Sequence, residues 1–128
     1  MSKVRVPRIR EDVLRDERHP VHRIADRLLP YLEVLVEEFR PEKVILFGSY
    51  AYGQPDEDSD VDLLVIKSLD RSPVKETAAI LKAWRPVRWS QPPMPIEVLV
   101  ETPAGHKARL ARSSPFYSEV VSRGLRVI

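Results

Sequence analysis

Apolar side chains recur at Val21, Ile24, Ala25, Leu28, Leu29, Leu32, Leu35, Val36 and Phe39. Steps of three and four put them on one helical face, so the pattern predicts a helix over 21–40. Pro30 falls inside it and is expected to kink or divide the helix near Leu29. Pro41 ends it. Val44, Ile45, Leu46 and Phe47 then form a continuous apolar run, which suits a short strand buried on both faces. Ser59 to Ile66 reads as a second strand. Ser72-Pro73 offers a serine N-cap with proline at the first helical position. Val74, Ala78, Leu81 and Trp84 share a face of the helix that follows, with Trp84 read as core. Arg85-Pro86 ends this helix, and residues 87–95 read as a proline-rich loop carrying Trp89 and Gln91. Ile96 to Glu101 alternates, with Ile96, Val98 and Val100 on one side and Glu97, Leu99 and Glu101 on the other. Thr102-Pro103 and Ser114-Pro115 repeat the helix-start signal. The last helix carries Phe116, Tyr117, Val120 and Val121, with Gly124 expected as its C′ stop. Residues 125–128 can add a short terminal strand.

This order of elements predicts an α/β (mixed) fold, a small mixed β-sheet packed by helices on one face. At 128 residues, one domain is the natural count. Residues 1–20 are mostly charged and read as a basic, solvated arm, in which Val4, Val6 and Ile9 can form an edge strand. The folded domain is expected over 21–128. No cysteine is present, which excludes disulfides and thiolate metal sites. No apolar run reaches the roughly 20 residues of a membrane span, and the N-terminus lacks a secretory signal. A cytoplasmic location is the expectation. A formal net charge of +2 gives no reason to expect direct nucleic-acid binding.

The chemistry concentrates between the first two strands. Gly48 lets the backbone approach a bound group closely, and Ser49 adds a hydroxyl donor. A helix beginning there would favour an anion at its free N–H groups. Asp60 and Asp62 are two apart, so on a strand both carboxylates point to one face. Such a pair repels itself unless protons or cations intervene, and a divalent cation shared with phosphates resolves the conflict. The plainer alternative is a β-hairpin with a solvated acidic turn; Asp56, Glu57 and Asp58 are read as that kind of turn residue.

Phe47-Gly48-Ser49, ten intervening residues and then Asp60-Val61-Asp62 resemble the signature of the DNA polymerase beta nucleotidyltransferase superfamily. Ala51 and Gly53 match a second small-residue step found in short members. The likeness is greatest to the minimal nucleotidyltransferases, which are often encoded beside a HEPN-domain protein as a toxin–antitoxin pair. The resemblance implies a polymerase-beta-like fold and a magnesium-dependent enzyme moving AMP from ATP to a hydroxyl. The implied acceptor is a tyrosine of a HEPN partner. Gly48 and Ser49 would bind the nucleotide, while Asp60 and Asp62 would hold two magnesium ions. The family's third carboxylate is usually an aspartate, and the matching residue here is Glu97. Glu97 is thus a candidate metal ligand and proton acceptor, set against a plain exposed strand residue; Glu101 is the weaker substitute. Tyr50 and Tyr52 can contact base or ribose, or pack the turn onto the sheet. Two other readings remain: a weak or inactive module that neutralises a partner by occlusion, and an enzyme modifying a small molecule. A homo-oligomer is possible in each case.

Overall fold

The structure is a computed structural model describing residues 6–112 and 114–128. Val4, part of the expected edge strand, lies outside the described residues. Val6 is exposed and belongs to no strand. From Arg10 onward the chain is not a solvated arm. Its N–H donates to the Val127 carbonyl at 2.7 Å, and α1 (Glu11–Leu14) buries Leu14 completely. One leucine among charged residues makes no periodic pattern, so this anchor left no helical signal in the sequence.

A single helical segment follows, made of a 3₁₀ stretch (Pro20–Ile24), α2 (Ala25–Val34) and a π-helical turn (Leu35–Phe39). Pro30 sits inside α2 without dividing it. The acceptor that its missing N–H leaves free is the Asp26 carbonyl, on an exposed residue where water can bind it. The helix changes type at its two ends instead, and Arg40 closes it in the left-handed region at φ 46°.

The chain then runs through β1 (Lys43–Phe47), α3 (Ser49–Tyr52) and β2 (Val61–Ile66). Next is α4 (Pro73–Ala83), capped by Ser72 Oγ, which accepts the Lys75 N–H at 3.2 Å. α5 (Arg85–Ser90) is a short helix where a loop was expected; Pro86 falls in its first turn, where a missing donor costs nothing. β3 (Ile96–Glu101) leads into α6 (Pro103–Ala111), capped by Thr102 Oγ1. α7 (Pro115–Arg123) and β4 (Leu125–Arg126) complete the fold. No helix among the described residues is long and apolar enough to cross a membrane.

The four strands form one mixed sheet in the order β3-β2-β1-β4. β1 pairs antiparallel with β2 and β4, and β2 pairs parallel with β3. Val44, Leu46, Leu63, Val65 and Val98 on the inner face pack with Leu28, Leu32, Ile80 and Trp84. Helices on one face alone do not describe the outcome. On the outer face, Ile45, Phe47, Leu64 and Ile66 pack under Tyr117 and Val120 of α7. Strands that are apolar at every position need cover on both sides. Gly124 follows the last residue of α7, where the stop was expected. Its backbone is extended (φ −68°), and a Cβ there would overlap the Val120 and Leu46 carbonyls and the Ile45 side chain. Glycine lets α7 turn back tightly against β1.

Trp84 is fully buried, as the helical face predicts. Its Nε1–H donates to the Tyr31 carbonyl at 3.0 Å, and its ring meets the Tyr31 ring edge-on at 5.3 Å. Trp89 on α5 is 80% exposed. Trp84→Ala is expected to cost about 3–5 kcal/mol of stability in urea unfolding. Trp89→Ala should change it by less than about 0.5 kcal/mol. Equal effects would mean that the core is not centred on Trp84.

Candidate active site

At the end of β1 the backbone enters a conformation that only glycine adopts without strain, with Gly48 at φ 78°, ψ −158°. A Cβ on Gly48 would also overlap Oδ2 of Asp62, so glycine brings the turn directly against that carboxylate. Ser49 opens α3, and the Gly48 carbonyl accepts the N–H groups of Ala51 and Tyr52 at 3.0 and 3.1 Å. A Cβ on Gly53 would overlap the Ser49 backbone, so the second small-residue step closes this one-turn helix. Tyr50 and Tyr52 both pack against the core, and the Arg123 guanidinium lies 4.4 Å from the Tyr52 ring centre.

The parallel register of β2 and β3 sets Asp62 opposite Glu97. Across the other edge of β2, Asp62 faces Phe47. Direct partners point to the same face, so Phe47, Asp62 and Glu97 form one row across the outer face. Asp60 lies just ahead of β2, not within it as the strand expected from Ser59 would have placed it. Sheet pairing begins at Val61, whose N–H donates to the Pro95 carbonyl at 2.9 Å. The preceding turn is tied to itself: Asp56 Oδ1 accepts the Asp58 N–H, and Ser59 Oγ accepts the Asp56 N–H. Asp56, Glu57 and Asp58 are exposed there, as turn residues should be. Glu101 is engaged at the far end of β3, where it accepts from Thr102 N–H at 2.9 Å and from Arg109 at 2.7 Å.

Burial, and then the negative charges of Glu97 and Asp60, raise the Asp62 pKa from 3.8 to about 6. Asp62 is therefore within electrostatic range of both other carboxylates. Among the described residues, however, no three acidic or histidine side chains are drawn together into a ready-made metal cage. The donor chemistry still fits a hard divalent ion: the groups are all carboxylate oxygens, on adjoining segments, and short of positive charge. The large cavity, about 1220 Å³, opens at the opposite end of the sheet beside Arg40, Lys43 and Lys67. None of Asp60, Asp62 or Glu97 lines it, so the site at the β1–α3 turn is separate from that cavity.

Two features had weak sequence signals. Phe116 and Tyr117 are neighbours on α7, about 100° apart, so both cannot face the sheet. Tyr117 is buried against His106 Nδ1, while Phe116 stays 59% exposed with its ring edge-on to Phe47 at 6.2 Å. Glu76, nearly buried at the start of α4, is held by Lys67 and Arg71. Its charge partners lie five and nine residues away, outside helical spacing.

A family model described as a nucleotidyltransferase domain matches residues 30–118, well over half of the chain. No curated protein matches the sequence at a significant level.

The Asp62 shift carries a sign. A carboxyl whose folded pKa is raised binds its proton more tightly in the native state. Stability then falls as pH rises from about 4 to about 6 and stays lowered above that. Without metal, Asp62→Asn should therefore stabilise the protein at pH 7 by about 1 kcal/mol, after discounting for solvent screening. The gain should vanish below pH 4, and urea unfolding at both pH values measures it. A destabilised variant at pH 7 would contradict the assigned repulsion.

Proposed function

Because the chain belongs to the nucleotidyltransferase domain family, we propose that it transfers AMP from ATP to a tyrosine hydroxyl of a HEPN-domain partner. The observation that carries this reading is the Asp62–Glu97 pair set in register, with Asp62 against the Gly48 turn. Asp60 and Asp62 would hold magnesium, with Glu97 as the third ligand. Bound there, the metal supplies charge neutralisation on the phosphates and eases deprotonation of the acceptor hydroxyl. Gly48 and Ser49 hold the terminal phosphates through the backbone and the hydroxyl. Glu97, exposed at the edge of the row, would take the acceptor proton. The acceptor oxygen bonds to the α-phosphorus, the bond to the bridging oxygen breaks, and pyrophosphate leaves.

The choice of acceptor follows from acidity and access. A phenol with a reference pKa near 10 needs less help than an aliphatic alcohol. Glutamate reaches one methylene further than aspartate, and catalysis is sensitive to shifts of about 1 Å. An easier deprotonation tolerates that displacement. Glu97 and the 39%-exposed Leu99 leave the outer face over β3 open to a docked protein. An added AMP would put charge and bulk on the partner, enough to oppose RNA binding there.

Glu97→Gln is expected to lower turnover at least tenfold while changing magnesium–ATP affinity less, and Glu97→Asp to retain or raise activity. Parental turnover in Glu97→Gln would remove the residue from the mechanism. For the acceptor, incubation with a HEPN-domain partner, magnesium and ATP should add AMP units by intact-mass analysis. The addition should disappear in the Asp60→Asn, Asp62→Asn double variant. A tight complex with no mass change would instead favour a module that acts by occlusion.

A further inference from the structure

Phe116 is a large apolar side chain left 59% exposed on the outer face. It is also backed by a second ring. It follows Pro115 at the start of α7, and its ring rests edge-on against Phe47, with centroids 6.2 Å apart and planes at 87°. Phe47 is itself 7% exposed, so it forms a firm backing. It is both the cross-strand partner of Asp62 and the residue immediately before Gly48. The exposed ring therefore stands one side chain away from the carboxylates and from the turn assigned to the phosphates.

We propose that Phe116 is the platform on which the base of the bound nucleotide stacks. The inference rests on the reading of Gly48, Asp60 and Asp62 as a nucleotide site. Two asymmetries of the outer face favour the base over an acceptor ring as the occupant. Gly48 and Ser49 belong to the β1 side, so phosphates held there bring the rest of the nucleotide over β1, where α7 presents Phe116. The acceptor side is β3, where Glu97 and Leu99 are exposed. The base is also tethered to the phosphates, so its local concentration at the ring is high. Stacking grips by overlap of flat surfaces and is tolerant of base identity. The site should then accept ATP and GTP alike, and hold UTP less tightly because its single ring overlaps less.

Calorimetry in magnesium compares ATP with inorganic tripolyphosphate, which has the phosphates without a base, for wild type and three variants. Wild type should bind ATP more tightly than tripolyphosphate. Phe116→Ala and Phe116→Leu should each lose ATP affinity about tenfold, while Phe116→Trp retains or improves it. Tripolyphosphate affinity should be the same in all four proteins. Thermal melting checks that each variant is folded; if Phe116→Ala is not, the Leu and Trp pair decides. Unchanged ATP binding in Phe116→Leu overturns the stacking platform and leaves the nucleotide site standing. So does an equal loss for both ligands, since that is a packing effect. A wild type that binds neither ligand removes the nucleotide site itself, and the platform with it.

Discussion

Asp62 faces Glu97 because β2 and β3 pair in parallel with Val61 opposite Ile96. Sliding either strand by one residue would turn its carboxylate to the buried face. The parallel arrangement has a second consequence. Two parallel neighbours cannot be joined by a tight turn and need a long crossover. Here residues 67–95 supply it through α4 and α5, and α4 with its C-cap residue carries Ile80 and Trp84 into the inner core. The helices that bury one side of the sheet and the register that aligns the acidic groups on the other thus have one cause.

The same row of side chains explains why the outer face is divided. Over β1, continuous apolar sequence demands cover, and α7 provides it through Tyr117 and Val120. Gly124 makes that cover possible, because a side chain there would collide with the Val120 carbonyl and with β1. Over β3 the alternating sequence puts Glu97, Leu99 and Glu101 outward, and Glu97 and Leu99 stay exposed. A covered half next to an open half gives the acidic row a wall on one side and free access on the other.

The fold also pays a local cost at this row. Gly48 takes a left-handed conformation so that the turn can lie against Asp62, and Asp62 is partly buried among like charges. Neither feature serves stability, since burial of a carboxylate and carboxylate repulsion both oppose the ionised form. Charge that works against folding is typical of a place that binds something. Elsewhere the chain neutralises its buried charge: Glu76 has Lys67 and Arg71 as direct partners.

Much of this was legible in the sequence because it is set by near neighbours. The 44–47 run, the alternation in 96–101, the Ser72 and Thr102 caps and the core position of Trp84 each follow from local spacing. The match between Gly48-Ser49 and Asp60-x-Asp62 is likewise a linear pattern, and it pointed to the nucleotidyltransferase domain that residues 30–118 match. Other features depend on pairs of residues distant in the chain. Leu14 is buried in the main core, on a segment that Arg10 ties to Val127 near the other end of the chain. Pro30 leaves α2 whole, and the carbonyl left without its donor belongs to Asp26, an exposed residue. Phe116 is exposed, and Tyr117 buried, only once α7 has settled against β1 through Gly124. The raised proton affinity of Asp62 comes first from its burial in the folded sheet and then from Glu97, which arrives across the sheet from 35 positions later in the sequence. Periodicity reports which side of an element is apolar, but only the tertiary structure decides what each side meets.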